Sequence, residues 1–291
     1  MKSLPRFSEL SRIPAKRSKC HARAWLLDVT GFPRYFSAGS IIEAARKFVH
    51  ETNTPSQSSL APIFFTDSRI DKQFSKGEKE IPIFNPISSD LDILRRSIFS
   101  NLSIYLKKNQ DRGYEDLSLF EIGPTFFGKN PGEQQIVVGG LKSGKINRKS
   151  WLDKERDVDV FDIKSDTIKT LIELGIEEKY LFVSDNTKHS YHPGRSGSIT
   201  LKSEKGPHLA YFGEIHPAII KNLDYKDNNI FGFEIFLKNI PEPNKKLRLS
   251  KKSFQASDYQ KSERDFAFVI DKIFKIGTLE KIIREVDENL I

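Results

Sequence analysis

Tyr191-His192-Pro193-Gly194-Arg195-Ser196 leads into Ser198-Ile199-Thr200-Leu201, and further on stands Gly213-Glu214-Ile215-His216-Pro217. Proline fixes φ at about −65°, glycine accepts positive φ, and the residue ahead of a proline is held extended, so 192–195 reads as a tight turn. Residues 198–201 alternate as a half-buried strand does, and a second strand is expected at 208–212. A short amphipathic helix follows at 218–223, with Pro217 suited to its first turn, where a missing N–H costs nothing. A histidine and an arginine on one turn are able to grip an anion or a carboxylate. Turn residues usually serve backbone geometry, so His192, Pro193, Gly194 and Arg195 are read as a structural turn whose polar side chains bond nearby backbone. Glu214 and His216 are read as structural too: as acid and base they need a nucleophile, and the sequence places none beside them.

Outward from this stretch the pattern is rich in strands. They are expected at 116–122, 135–141 and 158–161, and near Leu181, Ser198, Leu209 and Phe231, while a helix over 162–174 is closed by Gly175. Strands in succession with few helices between them predict an α+β fold built on a mainly antiparallel sheet. Upstream, a strand at 81–84 ends at Asn85-Pro86, and Ser88-Ser89-Asp90 offers N-cap oxygens. Leu91, Leu94, Ile98, Leu102, Tyr105 and Leu106 then recur largely at steps of three and four, predicting an amphipathic helix that ends before Gly113. Phe99 widens its apolar stripe, and a stripe this wide packs on its own sheet or on a partner chain.

At 291 residues the chain has room for about two domains. With 37% hydrophobic and 30% charged residues it has the balance of a soluble globular protein. No apolar run nears the ~18 residues of a membrane-spanning helix, so no membrane partner is expected. The single cysteine, Cys20, excludes a disulfide framework and argues against a thiolate zinc site; a reducing, cytoplasmic setting is expected. The net charge of +8 points to nucleic acid only until it is located, because residues 1–60 hold ten Lys or Arg against four Asp or Glu, leaving +2 for 61–291. RNA contact is therefore expected of local clusters. The clearest is Lys245, Lys246, Arg248, Lys251 and Lys252 in a proline-flanked linker, with Lys107, Lys108 and Arg112 at a helix end as the weaker second. Gly139-Gly140-Leu141-Lys142-Ser143-Gly144-Lys145 mimics a phosphate-binding loop. Ile146 stands where that loop needs Ser or Thr, and 147–156 lacks helical periodicity, so nucleotide hydrolysis is not expected. No catalytic residue and no metal-ligand set is assigned.

Five signatures fall in order along the chain: Leu119-Phe120-Glu121-Ile122-Gly123, the 191–196 stretch, the 213–217 stretch, Phe233-Glu234, and Glu263-Arg264-Asp265-Phe266-Ala267-Phe268-Val269. Together they resemble the C-terminal half of the bacterial phenylalanyl-tRNA synthetase beta chains, over roughly residues 64–291. The resemblance implies a non-catalytic module folded like the core of class II aminoacyl-tRNA synthetases, an antiparallel sheet with flanking helices, followed by the start of a ferredoxin-like anticodon-binding domain. The implied organisation is an unassigned basic segment at 1–62, the core module at 63–242, a basic linker at 243–253 and an incomplete anticodon-binding domain at 254–291. Phe266, Phe268 and Ile270 would lie on that domain's first strand, and Leu279, Ile282, Ile283, Val286 and Leu290 on its first helix. A ferredoxin-like fold needs a second such unit, so the sequence reads as a fragment, with a shifted reading frame near 62–65 as one source.

In the resembled family the alpha chain holds the active site that joins phenylalanine to tRNA with ATP and Mg2+. This chain is then expected to hold no cofactor itself and to act as a ligase subunit, packing on the alpha chain in a heterotetramer and reaching tRNA through its basic linker. Leu91, Leu94, Ile98, Leu102 and Tyr105 are the candidates for the intersubunit surface. Residues 120–123 fall where a catalytic core has the arginine strand that grips ATP, and the arginine that the family has after the glycine is Pro124 here. A stand-alone RNA- or protein-binding module is the alternative reading, and a transit peptide is the competing account of residues 1–27, which are rich in Ser, Arg and Lys.

Overall fold

The computed structural model describes residues 64–86, 88–146, 155–226, 229–241, 260, 262–271, 274 and 276–286. The chain divides into two compact units between Pro241 and Glu242. In the first unit, β1 (Phe65–Thr66) and β2 (Ile93–Leu94) form a short antiparallel pair beside helices α1 (Ser68–Phe74) and α2 (Phe99–Asp111). The main sheet is antiparallel and six-stranded: β3 (Leu117–Phe126), β4 (Gln134–Ser143), β5 (Leu181–Ser184), β6 (Tyr191–Leu201), β7 (His208–Ile215) and β8 (Ile230–Phe236), in the order β3-β4-β8-β7-β6-β5. Helices α3 (Val160–Glu173) and α4 (Pro217–Asn222) complete it. This is the α+β, antiparallel class that the strand-rich sequence predicts.

Both faces of the sheet are buried. Phe120, Ile122, Val138, Phe212, Phe233 and Ile235 pack with Ile163 and Leu171 of α3 on one side. Leu119, Val137, Leu141, Ile215 and Phe236 pack with α1, α2 and α4 on the other. A strand covered twice has no polar side to show, which is why β8 reads Ile-Phe-Gly-Phe-Glu-Ile-Phe with every residue buried instead of alternating.

Three local expectations are corrected. The helix expected from Leu91 begins only at Phe99, because the segment before it is pinned as strand. Leu94 N–H donates to Ile81 O and Arg95 N–H to Phe64 O, both at 3.0 Å, and Arg95 O accepts from Phe126 N–H at 3.0 Å. The steps of three and four therefore ran across an extended stretch into a helix, and Ser88-Ser89-Asp90 lies in a turn, with Leu91 N–H on Ser88 O at 3.1 Å. The start of α2 is served instead by Ser97, whose hydroxyl accepts from Phe99 N–H at 3.2 Å, and by buried Asp71, which accepts from Ser97 N–H at 3.3 Å and from the Ser100 hydroxyl at 2.6 Å. The strand expected at 158–161 runs instead into α3, with Asp159 as N-cap and Val160 as the first helical residue. Asp159 accepts from Phe161 and Asp162 N–H at 2.8 and 3.0 Å while the Asp162 carboxylate takes the Asp159 N–H at 3.0 Å, a reciprocal cap that outweighs the local run of β-branched residues. The strand expected at 81–84 is reduced to one bridge, Pro82 with Ile93.

In the second unit, helix α5 (Ile276–Val286) overlaps the helical stripe expected from Leu279 to Leu290, starting three residues before it. Leu279 and Ile283 are half-buried and Ile282 and Val286 exposed; Leu290 lies outside the described residues. Residues 262–271 form no strand, since a strand exists through pairing and the described residues provide no partner.

Candidate functional site

The register of the sheet fixes which side chains share a face. Glu121 pairs with Gly139, Gly139 with Glu234, Glu234 with Tyr211, Tyr211 with Ser198, and Ser198 with Ser184. One polar row thus crosses all six strands on the face that α2 covers. Carboxylates buried there need partners. Glu121, 3% exposed, accepts from Nη1 of fully buried Arg95, whose Nε donates to the Pro124 carbonyl at 2.8 Å. Burial holds the Glu121 carboxyl above the ordinary carboxylate range, with the Arg95 guanidinium pulling it back. Pro124 lacks an N–H, a loss an edge strand tolerates, and its carbonyl orients Arg95.

Towards the middle of the row, Glu234 accepts from Lys188 Nζ at 3.0 Å. That ammonium also sits 4.8 Å from the Tyr211 ring and 4.7 Å from the Phe236 ring, so one cation satisfies a carboxylate and two aromatic faces. Burial raises the Tyr211 hydroxyl pKa, against the pull of Lys188. At the far end the Ser184 and Ser198 hydroxyls share a hydrogen bond of 2.9 Å.

A nucleotide's phosphates need cations or N–H donors open to a cleft. On this face β3 offers the Glu121 carboxylate, the one arginine beside it is sealed, and Ile98 fills the space over Gly139 so closely that an added Cβ would collide with its Cγ2.

The turn expected at 192–195 lies inside β6. Its pairing with β7 slips between Tyr191, opposite Ile215, and Ser196, opposite Gly213. Pro193 and Gly194 therefore make a bulge that interrupts the ladder; they do not reverse the chain. Gly213 stands opposite at φ +148°, where a side chain would collide with Ser196. The polar side chains do bond locally: His192 Nδ1 accepts from Gly194 N–H at 3.0 Å. Arg195 grips a carboxylate of its own chain, its Nε 2.7 Å from Oε2 of Glu214, whose side chain is 3% exposed. His216 caps α4, its Nδ1 accepting from Ala218 N–H at 3.1 Å, with Pro217 in the first turn as expected.

Residues 60–237 match a family model described as the phenylalanyl tRNA synthetase beta chain CLM domain. The chain belongs to this family. The phenylalanine–tRNA ligase beta subunit of Paramagnetospirillum magneticum is 38% identical over 218 residues, which are 75% of this chain and 27% of that subunit. The subunit of Rhodospirillum rubrum is 40% identical over 227 residues, 78% of this chain and 28% of its own. The chain thus spans about a quarter of the length of the curated relatives it matches. Among solved structures, a pyrrolysyl-tRNA synthetase from Desulfitobacterium hafniense covers 74% of this chain and 71% of its own at 12% identity and a TM-score of 0.44, a likeness too loose to bear on the site.

Within this CLM-domain chain the residues expected at a subunit surface fall apart. Ile98 and Leu102 are fully buried against the chain's own sheet and have nothing left to present to a partner. Leu91 and Leu94 are half-buried outside the helix, and Tyr105 is 40% exposed. Lys245, Lys246, Arg248, Lys251 and Lys252 lie outside the described residues. Sequence reasoning missed Arg95, Arg96 and Lys188. The first two carried a signal, since adjacent cations inside an apolar stripe need buried acceptors; Lys188 carried none, its partner lying 46 positions away.

Proposed function

We propose that the chain is a module of the beta subunit of phenylalanine–tRNA ligase, itself non-catalytic, which supports the charging of tRNA with phenylalanine by the alpha chain. The match of residues 60–237 to the CLM-domain family is the observation that carries this reading. The closed face supports it: Glu121 accepts from Nη1 of the fully buried Arg95, and Ile98 occupies the space over Gly139. ATP and Mg2+ belong in this reading to the whole enzyme, a cytoplasmic alpha–beta heterotetramer, and the sheet is the class II synthetase-like core without its active site. Residues 254–291 open a ferredoxin-like anticodon-binding domain, and the basic linker touches tRNA.

The alpha chain meets Tyr105 and the half-buried Leu91 and Leu94, since Ile98 and Leu102 are already covered. Co-expression with the alpha chain of the same organism, followed by gel filtration, tests this. Co-elution is expected, and Tyr105→Asp should abolish it while leaving the melting temperature of the chain unchanged. A chain that elutes alone under all conditions overturns the reading.

A further inference from the structure

Away from the polar row, α1 and the loop after it border an open cleft of about 690 Å³ whose cations are Lys72, Lys76, Lys79, Lys129 and Arg96. Glu78 and Glu80 share the lining. Lys72 is taken by Glu80, 3.0 Å away, and Arg96 by the buried Asp71, its Nε donating to Oδ2 at 2.6 Å. With Asp71 counted, five cations stand against three carboxylates, an excess of +2. That excess rests on Lys76, Lys79 and Lys129, which are exposed and hold no ion pair among the described residues.

The wall that carries these charges is bonded in place. Ser75 N–H donates to Asp71 O at 2.9 Å, Lys76 N–H to His189 Nε2 at 2.9 Å, and Glu78 N–H to Ser75 O at 3.2 Å. Arg96, two residues past β2, ties itself to the same loop through Nη1, which donates to the Glu78 carbonyl. Its side chain is 2% exposed, and Nη2 is buried with no hydrogen-bond partner among the described residues. A buried guanidinium N–H without an acceptor is costly, and in a residue that lines a cationic cleft an anionic oxygen is the acceptor that would remove the cost.

We infer that this cleft is a site for a small dianionic oxyanion, inorganic phosphate or the phosphate group of a small monoester. Arg96 Nη2 is its fixed donor, and Lys76, Lys79 and Lys129 neutralise it. The match is one of charge, because a phosphate with one ester or none carries close to two negative charges around neutral pH, the excess that the cleft offers. A carboxylate or a phosphodiester brings a single charge and leaves half of that excess unmatched. The site stands on these residues alone and does not depend on the ligase reading.

Isothermal titration calorimetry of the full chain with sodium phosphate at low salt and about pH 8, where phosphate is a dianion, tests the site. Saturable binding is expected. Two variants are compared, each first checked for an unchanged melting curve: Lys79→Gln/Lys129→Gln, which leaves the buried pairs alone, and Arg96→Lys, which keeps a cation for Asp71 but removes Nη2. Arg96→Lys should weaken binding about tenfold or more. The double lysine variant should weaken it about threefold or more, and it decides alone if Arg96→Lys does not fold. Glycerol 2-phosphate tells the two sources apart: binding tighter than that of inorganic phosphate names a monoester as the ligand, and weaker binding names the free ion. No saturable binding overturns the inference, as does an affinity unchanged in the double lysine variant. So does equal binding of dimethyl phosphate, which would mark a site for a nucleic-acid backbone, or of acetate, which would mark a site for protein carboxylates. The alpha chain takes no part in this titration, so its failure leaves the ligase reading standing, and failed co-elution with the alpha chain leaves this site standing.

Discussion

The two faces of the six-stranded sheet are buried by different means. Under α3 the packing is apolar, Phe120, Ile122, Val138, Phe233 and Ile235 against the helix, and the Lys142–Asp166 pair at 2.5 Å keeps side chains that are still 9% and 16% exposed. Under α2, Glu121 and Glu234 are buried in the body of the sheet, each held by a cation from outside it: Arg95 from the segment ahead of α2, and Lys188 from the loop before β6. The first face is stabilised by area removed from water. The second is stable only while its ion pairs are complete, since one partner alone is an uncompensated charge in a low-dielectric interior. The polar row brackets the chain to itself through these pairs.

The contrast breaks most sharply under single substitutions. Glu121→Leu, with Arg95 left behind, should lower unfolding stability by about 3–5 kcal/mol, and Arg95→Met added to it should recover the loss or exceed the parent by about 1–4 kcal/mol. Phe233→Ala on the α3 face should also cost about 3–5 kcal/mol, through a cavity that no single charge-removing partner repairs. Urea unfolding of the variants measures both. A double variant no more stable than Glu121→Leu would place the Arg95–Glu121 pair in the same class as the apolar face.

Smaller changes sharpen the comparison. Gly139→Ala should cost about 1–3 kcal/mol by overpacking Ile98, and Ile98→Ala, which removes the colliding Cγ2, should cost less in the Gly139→Ala chain than in the parent. Arg195→Ala should cost about 1 kcal/mol, because Glu214 is buried but the arginine is largely in solvent. The smallest effect is a pH dependence at His189, whose Nε2 accepts from Lys76 N–H at 2.9 Å. Burial, opposed by Glu78, holds its pKa below the ordinary 6.5. The folded state therefore favours neutral imidazole, so this contribution is complete above the unfolded value and is lost as pH falls through the folded one. An NMR titration should find His189 below 6.5, and a value above it would mean that the contact with Lys76 is not formed.

Much of this was legible in sequence. Strands β3, β4 and β7 and helix α4 announced themselves because alternation, Pro217 and the polar turns between strands are local signals. The start of α2 was hidden, since Ile93 and Leu94 hold apolar positions that suit a helix and a strand alike; what decides is pairing with Phe65 and Thr66, almost thirty residues upstream. The bulge at 192–195 was read as a turn because proline and glycine are common both where a ladder is interrupted and where a chain reverses; Gly194 does not take the positive φ that a reversal would use. Glu121 and Glu234 were visible as motif residues, but their cations were not. An ion pair across the fold leaves no periodicity to read.

Phenylalanine-dependent exchange of pyrophosphate into ATP, measured on the purified chain alone, tests most directly whether the face under α2 is closed to substrate. With Ile98 over Gly139 and Arg95 locked to Glu121, no exchange above buffer is predicted for the chain alone, and exchange in the presence of the alpha chain should be unchanged by Arg95→Met/Glu121→Leu. Exchange by the chain alone that disappears in the stable Arg95→Met/Glu121→Leu variant would contradict it, and would return this row of buried ion pairs to the reaction centre.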